Sequence, residues 1–209
     1  MSDVVQRSDA WRQMRLGKVT ASRVADVIAK TKTGWGASRA NYQAELIAER
    51  LTGVPAEKFT NAAMQWGTDN EDAARREYGF RNAVSIEEVP FVHHPRILMS
   101  GASPDGLVAA EGLLEIKAPN TSTHIDTLLA GTVPGKYVTQ MQWQMACTDR
   151  QWCDFVSYDP RLPDDMAFFC KRVERDSLYI SQLEEMVTEF LAELDAKIEA
   201  LQNKFRKAA

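Results

Sequence analysis

The chain has 209 residues, 44% of them hydrophobic and 26% charged, with a formal net charge of −4 at neutral pH. That length can bury a sizeable core, and the balance is ordinary for a globular protein, which excludes a chain too polar to fold. No run approaches the ~18 apolar residues of a membrane-spanning helix, and polar Met1–Trp11 has no signal-peptide core, so a cytoplasmic protein without membrane association is expected.

No repeat, low-complexity tract or Pro/Gly-rich linker divides the sequence, and residues 1–209 read as one domain. Ser8–Leu16 is expected to be a short helix. Thr20–Ala29 reads as a second, with Ala21, Val24, Ala25 and Ile28 at helical spacing and Thr20 or Ser22 as its cap. Thr31–Ala37, with Gly34 and Gly36, reads as a loop. Asn41–Leu51 is helical up to Gly53, and Asn61–Tyr78 is a longer helix for which Gly79 is a plausible stop. Short strands are then expected at Val84–Val92, Leu98–Ser100, Leu107–Ala109, Leu113–Lys117, Trp152–Tyr158 and Met166–Val173, with a helix at Tyr137–Thr148. Ser177–Phe205 closes the chain as a long helix. Its stripe of Tyr179, Leu183, Met186, Val187, Phe190, Leu194, Ile198 and Leu201 is expected to pack on the domain's own sheet rather than form a coiled coil with a partner. The fold class is α/β or α+β, a central mixed β-sheet flanked by helices.

Charge is unevenly placed. Residues 1–40 hold eight Lys/Arg against three Asp/Glu, a balance of +5, whereas 176–200 hold seven acids against Lys197, a balance of −6. Such a split permits a localised DNA-binding face without selecting one. Cys147, Cys153 and Cys170 are odd in number and lack zinc-type spacing, so they read as reduced packing residues.

Two segments carry the chemistry: Ser103-Pro104-Asp105-Gly106 and Leu114-Glu115-Ile116-Lys117. On a strand, residues two apart share a face, so Glu115 and Lys117 project together and Leu114 and Ile116 turn away. If Asp105 ends the neighbouring strand of a hairpin, it reaches the same point. Two carboxylates and an ammonium there suit a hard divalent cation such as Mg²⁺ and a phosphate, the outline of a metal-dependent nuclease. The same residues also fit a plain hairpin with Glu115 and Lys117 as a solvated ion pair.

Other segments have two readings as well. Arg15-Leu16-Gly17-Lys18-Val19-Thr20-Ala21-Ser22 gathers cations, hydroxyls and free amides at a helix start, a phosphate site or an ordinary cap with surface cations. Glu71, after Trp66-Gly67-Thr68-Asp69-Asn70, is a metal-shell carboxylate or a surface acid. Gln140 and Gln144 share a helix face and can order a water or hold a phosphate oxygen. His93 and His94 point to opposite faces of a strand, so one cation is not expected to take both, and His124 has no partner at metal-ligand spacing.

Taken in order, Trp11, 15–22, Ala63-Met-Gln-Trp-Gly-Thr-Asp-Asn-Glu71, Ser103-Pro-Asp-Gly-Leu107, Leu114-Glu-Ile-Lys-Ala-Pro119, Gln140-Met-Gln-Trp143 and Tyr158-Asp-Pro-Arg161 resemble the family of the phage lambda alkaline exonuclease and the YqaJ-type viral recombinases. The resemblance implies a restriction-endonuclease-like core. It implies a Mg²⁺-dependent exonuclease (Mn²⁺ a substitute) that degrades one strand of linear duplex DNA from its 5′ end, releases mononucleotides and leaves a 3′ tail for a single-strand-annealing protein. It further implies a ring-shaped homotrimer and a phage or prophage origin. By the same resemblance Asp105, Glu115 and the Ile116 carbonyl hold metal, and Lys117 positions or deprotonates water. Glu71 lies in the outer part of that site and Gln140 orients the nucleophile or phosphate. Arg15, Thr20, Ser22 and Lys32 form a 5′-phosphate pocket. Lys32 stands where the lambda pattern has an arginine, and so does Thr123; a lysine lacks the bidentate fork.

Overall fold

A computed structural model describes residues 4–56 and 61–205, so the outermost ends of the expected 1–209 domain lie outside the described residues. Helix α1 (Asp9–Arg15) starts where Ser8 Oγ accepts from the Trp11 amide. The expected second helix is shorter. Val19–Thr20 forms strand β1, parallel to Ser100–Gly101, then a 3₁₀ turn (Ala21–Arg23) leads into α2 (Val24–Val27). Thr20 makes no side-chain cap there, because its backbone is committed to the strand pairing. The expected loop is a small hairpin, β2 (Lys30–Thr31) and β3 (Gly34–Trp35), with Lys32 exposed at its turn.

Helix α3 (Ala37–Thr52) ends at Gly53, whose φ of +70° is the left-handed C-terminal stop. Helix α4 (Ala62–Asn82) runs through Gly79 and stops at left-handed Ala83 instead. Gly79 is there for closeness, since a Cβ would lie 3.0 Å from Ile86 and 3.1 Å from the Val84 carbonyl. The expected Val84–Val92 strand is split into β4 (Ile86–Glu87) and β5 (Val92–His93), which enter different sheets on either side of Pro90, a residue with no ladder donor.

Strands β6 (Ser100–Ala102), β7 (Gly106–Val108) and β8 (Gly112–Lys117) follow. Then comes α5 (Thr121–Ala130), a helix absent from the sequence reading. It is capped by Asn120, whose side chain accepts from the Thr123 amide, and ends at left-handed Gly131. Helix α6 (Gly135–Thr148), strands β9 (Trp152–Tyr158) and β10 (Phe168–Glu174), and α7 (Ser177–Phe205) complete the order. The main sheet runs β10-β9-β8-β7-β4, antiparallel except for the parallel pair β8/β9, and a smaller sheet runs β1-β6-β5.

The alternation in β8 divides the core. Leu114 and Ile116 pack with Ala74 and Tyr78 of α4 on one face, while Leu113 packs with Met141 and Met145 of α6 and Phe155 of β9 on the other. A fully buried leucine such as Leu114 typically costs 2–5 kcal/mol to truncate to alanine, so β8 is pinned from both sides. The stripe of α7 is buried within the chain as expected, but chiefly against helices. Leu183, Val187, Phe190 and Leu194 meet Val24, Val27, Tyr42 and Leu46, and Ile180 joins the cluster on the sheet.

Candidate active site

The hairpin β7–β8 brings the first two motifs together. Gly106 pairs with Leu114, and the Asp105 amide donates to the Leu114 carbonyl at 3.1 Å, so Asp105 sits opposite the end of β8. The Ile116 amide donates to Asp105 Oδ2 at 2.6 Å. Glu115 and Lys117 share the α6 face as the alternation requires, and the Lys117 ammonium donates to Glu115 Oε1. Gln140 Nε2 donates to the same oxygen at 2.7 Å, and Gln144 Nε2 donates to Oε2 at 2.6 Å. The ion pair is therefore not solvated: Glu115 is 1% exposed.

The electrostatics of this cluster are strained. Burial, and then the neighbouring charge of Glu115, push the Asp105 carboxyl well above the usual carboxylate range. Burial opposes the charge on Lys117, but Glu115 and Asp105 outweigh it and hold the amine above its ordinary value, so it is an ammonium. Two crowded carboxylates with one ammonium form a hard-oxygen donor set whose excess negative charge a divalent cation would relieve; these residues fit Mg²⁺. Among the described residues no cluster of three or more His, Cys, Asp or Glu forms a metal site, so Asp105 and Glu115 would need the Ile116 carbonyl or substrate oxygens to complete it.

Glu71 lies beside the cluster but is already engaged. It pairs with Arg7 and with Arg75 at 2.8 Å, and Arg75 Nε in turn donates to the Asp105 carbonyl at 3.0 Å. Its hydrogen-bonded link to Asp105 runs through Arg75 to the Asp105 backbone, and, after burial and Glu115, its charge adds directly to the rise of the Asp105 pKa.

The second expected site is built differently from its sequence reading. The Arg15 guanidinium lies 4.2 Å from the centre of the Trp11 ring and donates to Ser103 Oγ at 3.3 Å. Burial pulls its pKa below the ordinary arginine value, and no ion pair among the described residues includes it. A cavity of about 310 Å³ opens here, lined by Trp11, Arg15, Lys18, Thr20, Arg23 and Tyr42 among others. The acids on its wall are occupied: Glu45 pairs with Arg23 at 2.9 Å, and Glu49 accepts from the Gly17 amide at 2.8 Å. Thr20 is buried, with its hydroxyl 3.4 Å from that of exposed Ser22. Ser22 and Lys32 do not line the cavity, and Lys32 stays on the exposed hairpin turn.

Two contributors, Ser103 and Arg75, escaped the sequence reading as site residues, and Gln144, expected there to order a water or hold a phosphate oxygen, takes a carboxylate instead. Ser103 receives both Arg15 and the Trp11 indole (2.9 Å), Arg75 holds Glu71 and Asp105, and Gln144 holds Glu115. The spacing from Gln140 had marked Gln144, whereas the roles of Ser103 and Arg75 left no such signal. The histidines serve structure. His94 is buried against Trp143 while His93 is exposed, and buried His124 lies 2.7 Å from Ser157 Oγ. All three cysteines are free.

A model of the YqaJ-like viral recombinase domain matches residues 10–151 of this sequence. The chain belongs to that family. Among solved structures, the YqaJ-like chain is similar to an alkaline exonuclease (LHK-Exo) from Laribacter hongkongensis, 55% identical over 94% of this chain and 97% of that one, with a TM-score of 0.89. The same protein in complex with dAMP matches with a TM-score of 0.90, at the same identity and coverage. A phage-related exonuclease from Haemophilus somnus 129PT is 17% identical over 88% of this chain and 96% of its own (TM-score 0.71), which speaks for the fold alone. No curated protein matches at a significant level. The YqaJ-like core is of the restriction-endonuclease-like kind, and no described helix is long and apolar enough to cross a membrane.

Proposed function

We propose that this chain is a Mg²⁺-dependent 5′-to-3′ exonuclease acting on the ends of linear double-stranded DNA. It releases 5′-mononucleotides and leaves 3′ single-stranded tails for a single-strand-annealing partner. The observation that carries the reading is the convergence of Asp105, Glu115 and Lys117 on one hairpin, with half-buried Arg15, in no ion pair among the described residues, joined to the same loop through Ser103. A 55%-identical relative described as an alkaline exonuclease and solved with dAMP, a deoxynucleoside monophosphate, supports it.

Mg²⁺, with Mn²⁺ as a substitute, would be held by Asp105, Glu115 and the Ile116 carbonyl, and would supply Lewis-acid polarisation of the scissile phosphate and a more acidic water. Lys117, held as an ammonium between two carboxylates in the metal-free site, positions or deprotonates the attacking water and steadies negative charge at the phosphate. Gln140, half-buried at the cleft, turns its amide to the incoming water or phosphate oxygen. Glu71, held by Arg75, adds its negative charge to the field at Asp105. Arg15 with Thr20 anchors the 5′-phosphate, and Ser22 and Lys32 meet DNA further out. A homotrimeric ring in the cytoplasm of a bacterial host of phage or prophage fits a net-acidic chain whose residues 1–40 are net basic.

The test is digestion of linear duplex DNA labelled at the 5′ or the 3′ end, with Mg²⁺ and with chelator. Metal-dependent early release of the 5′ label as a mononucleotide, with the 3′ label kept on a long strand, is expected. Binding without release would leave a DNA-end clamp, and early loss of the 3′ label would leave a nuclease of opposite polarity.

A further inference from the structure

Glu115 has three side-chain donors, and they are not equivalent. Lys117 and Gln140 meet Oε1 from the cleft side, and both are half-buried. Gln144 meets Oε2 from inside the protein and is itself 0% exposed. An ionised carboxylate offers about four lone-pair positions, so three of them are filled in this state.

The orientation of the Gln144 amide is forced. Its Oε1 faces the Cys153 sulfur at 3.9 Å, on β9. Burial, and then the negative charge of Glu115, keep that thiol well above its ordinary value, so it remains an S–H donor. The amide oxygen therefore takes the thiol and the amide nitrogen takes Glu115; the reverse would set oxygen against oxygen. One helical turn separates Gln144 from Gln140, so α6 presents one movable and one fixed amide to the same carboxylate.

When a cation and a phosphate enter the cleft, Lys117 and Gln140 can turn to them. Gln144 cannot, because nothing but protein lies within its reach. We propose that Gln144 is the positioning residue of this site, holding Glu115 from behind so that the carboxylate keeps its orientation while Lys117 and Gln140 are drawn to substrate. The inference rests on the reading of Asp105 and Glu115 as the residues that hold Mg²⁺. Gln142, on the same helix, shows the contrast. Its amide bridges the Glu174 carbonyl (2.7 Å) and the Asp176 amide (2.9 Å), a joint between α6 and the link from β10 to α7, and it makes no hydrogen bond to Asp105 or Glu115.

The experiment measures Mn²⁺ affinity of the metal-stripped full chain without DNA, by electron paramagnetic resonance of the free ion. It compares the wild type, Gln144→Met, Gln142→Met and Asp105→Asn. Methionine keeps the length and volume of glutamine and removes the donor. Gln144→Met is expected to bind Mn²⁺ about 10- to 100-fold more weakly. Its kcat should fall in step, while its KM for DNA and its DNA-end binding in chelator stay at wild-type levels. Gln142→Met should lower the melting temperature and leave Mn²⁺ affinity unchanged. Should Gln144→Met not fold, Gln144→Asn, one methylene too short to reach Glu115, should show the same weakening. Wild-type Mn²⁺ affinity in a folded Gln144 variant overturns the inference and leaves the metal reading intact. A wild type that binds no Mn²⁺, or binds it as well after Asp105→Asn, overturns the metal reading and this inference with it.

Discussion

Ile116 donates its backbone N–H to Asp105 Oδ2 at 2.6 Å, across the two strands of one hairpin. That bond favours the ionised aspartate, yet burial and the charge of Glu115 prevail and keep its pKa raised. The hairpin holds a carboxylate in a place that disfavours its charge, which is a cost to the metal-free fold.

The sign of that cost can be measured. Above about pH 4, an unfolded aspartate has lost its proton while folded Asp105 retains it over a window that extends to its raised pKa. Stability contributed by this group therefore falls as pH rises through the window. Asp105→Asn keeps the acceptor for Ile116 and removes the charge. In chelator it should melt a few degrees higher than wild type at neutral pH and level with it near pH 4. Identical melting curves at every pH would show that Asp105 carries no such strain.

Lys117→Ala should cut turnover by about 100-fold or more while DNA-end binding is kept, since its ammonium lies at the cleft and not in the core. Single-turnover kinetics and a filter-binding assay separate the two, and turnover close to wild type would remove Lys117 from the chemistry.

Arg15→Ala should slow digestion of 5′-phosphorylated ends by about 10-fold or more, the size of a lost charge-assisted hydrogen bond, and change 5′-hydroxyl ends far less. Equal slowing of both would place the 5′-phosphate elsewhere.

Asp159 gives the opposite pH sign. Burial works against its ionisation, but hydrogen bonds from Arg161 and Thr121 prevail and pull the carboxyl down to about 2. Its contribution to stability is present above the ordinary aspartate value near 4 and is lost as pH falls toward 2. Asp159→Asn should lower the melting temperature at pH 7 and flatten the acid limb between about pH 4 and 2. An unchanged limb would mean that the Arg161 pair is indifferent to folding.

Local pattern was enough for the elements whose neighbours agree with it. The strand Trp152–Tyr158 and the helix Ser177–Phe205 lie where alternation and periodicity put them. Pattern failed where a distant partner decides: Thr20 was drawn from a helix into a strand opposite Gly101, and Pro90 split one strand between two sheets. Helix α5 was hidden because Asn120-Thr-Ser-Thr reads as loop, although Asn120 is its cap. In the site, Glu115 and Lys117 were legible because a two-residue spacing fixes a shared face. Ser103 was not, since the residues it receives lie 88 and 92 positions away along the chain.

Ser103 is also two peptide units from Asp105, a span of at most ~7 Å. With Arg15 as the anchor of a DNA end, the gap between the held terminus and the reacting groups is written into covalent backbone. The length of the product would then be a property of this short loop, indifferent to the sequence being digested and to whatever protein takes up the strand left behind.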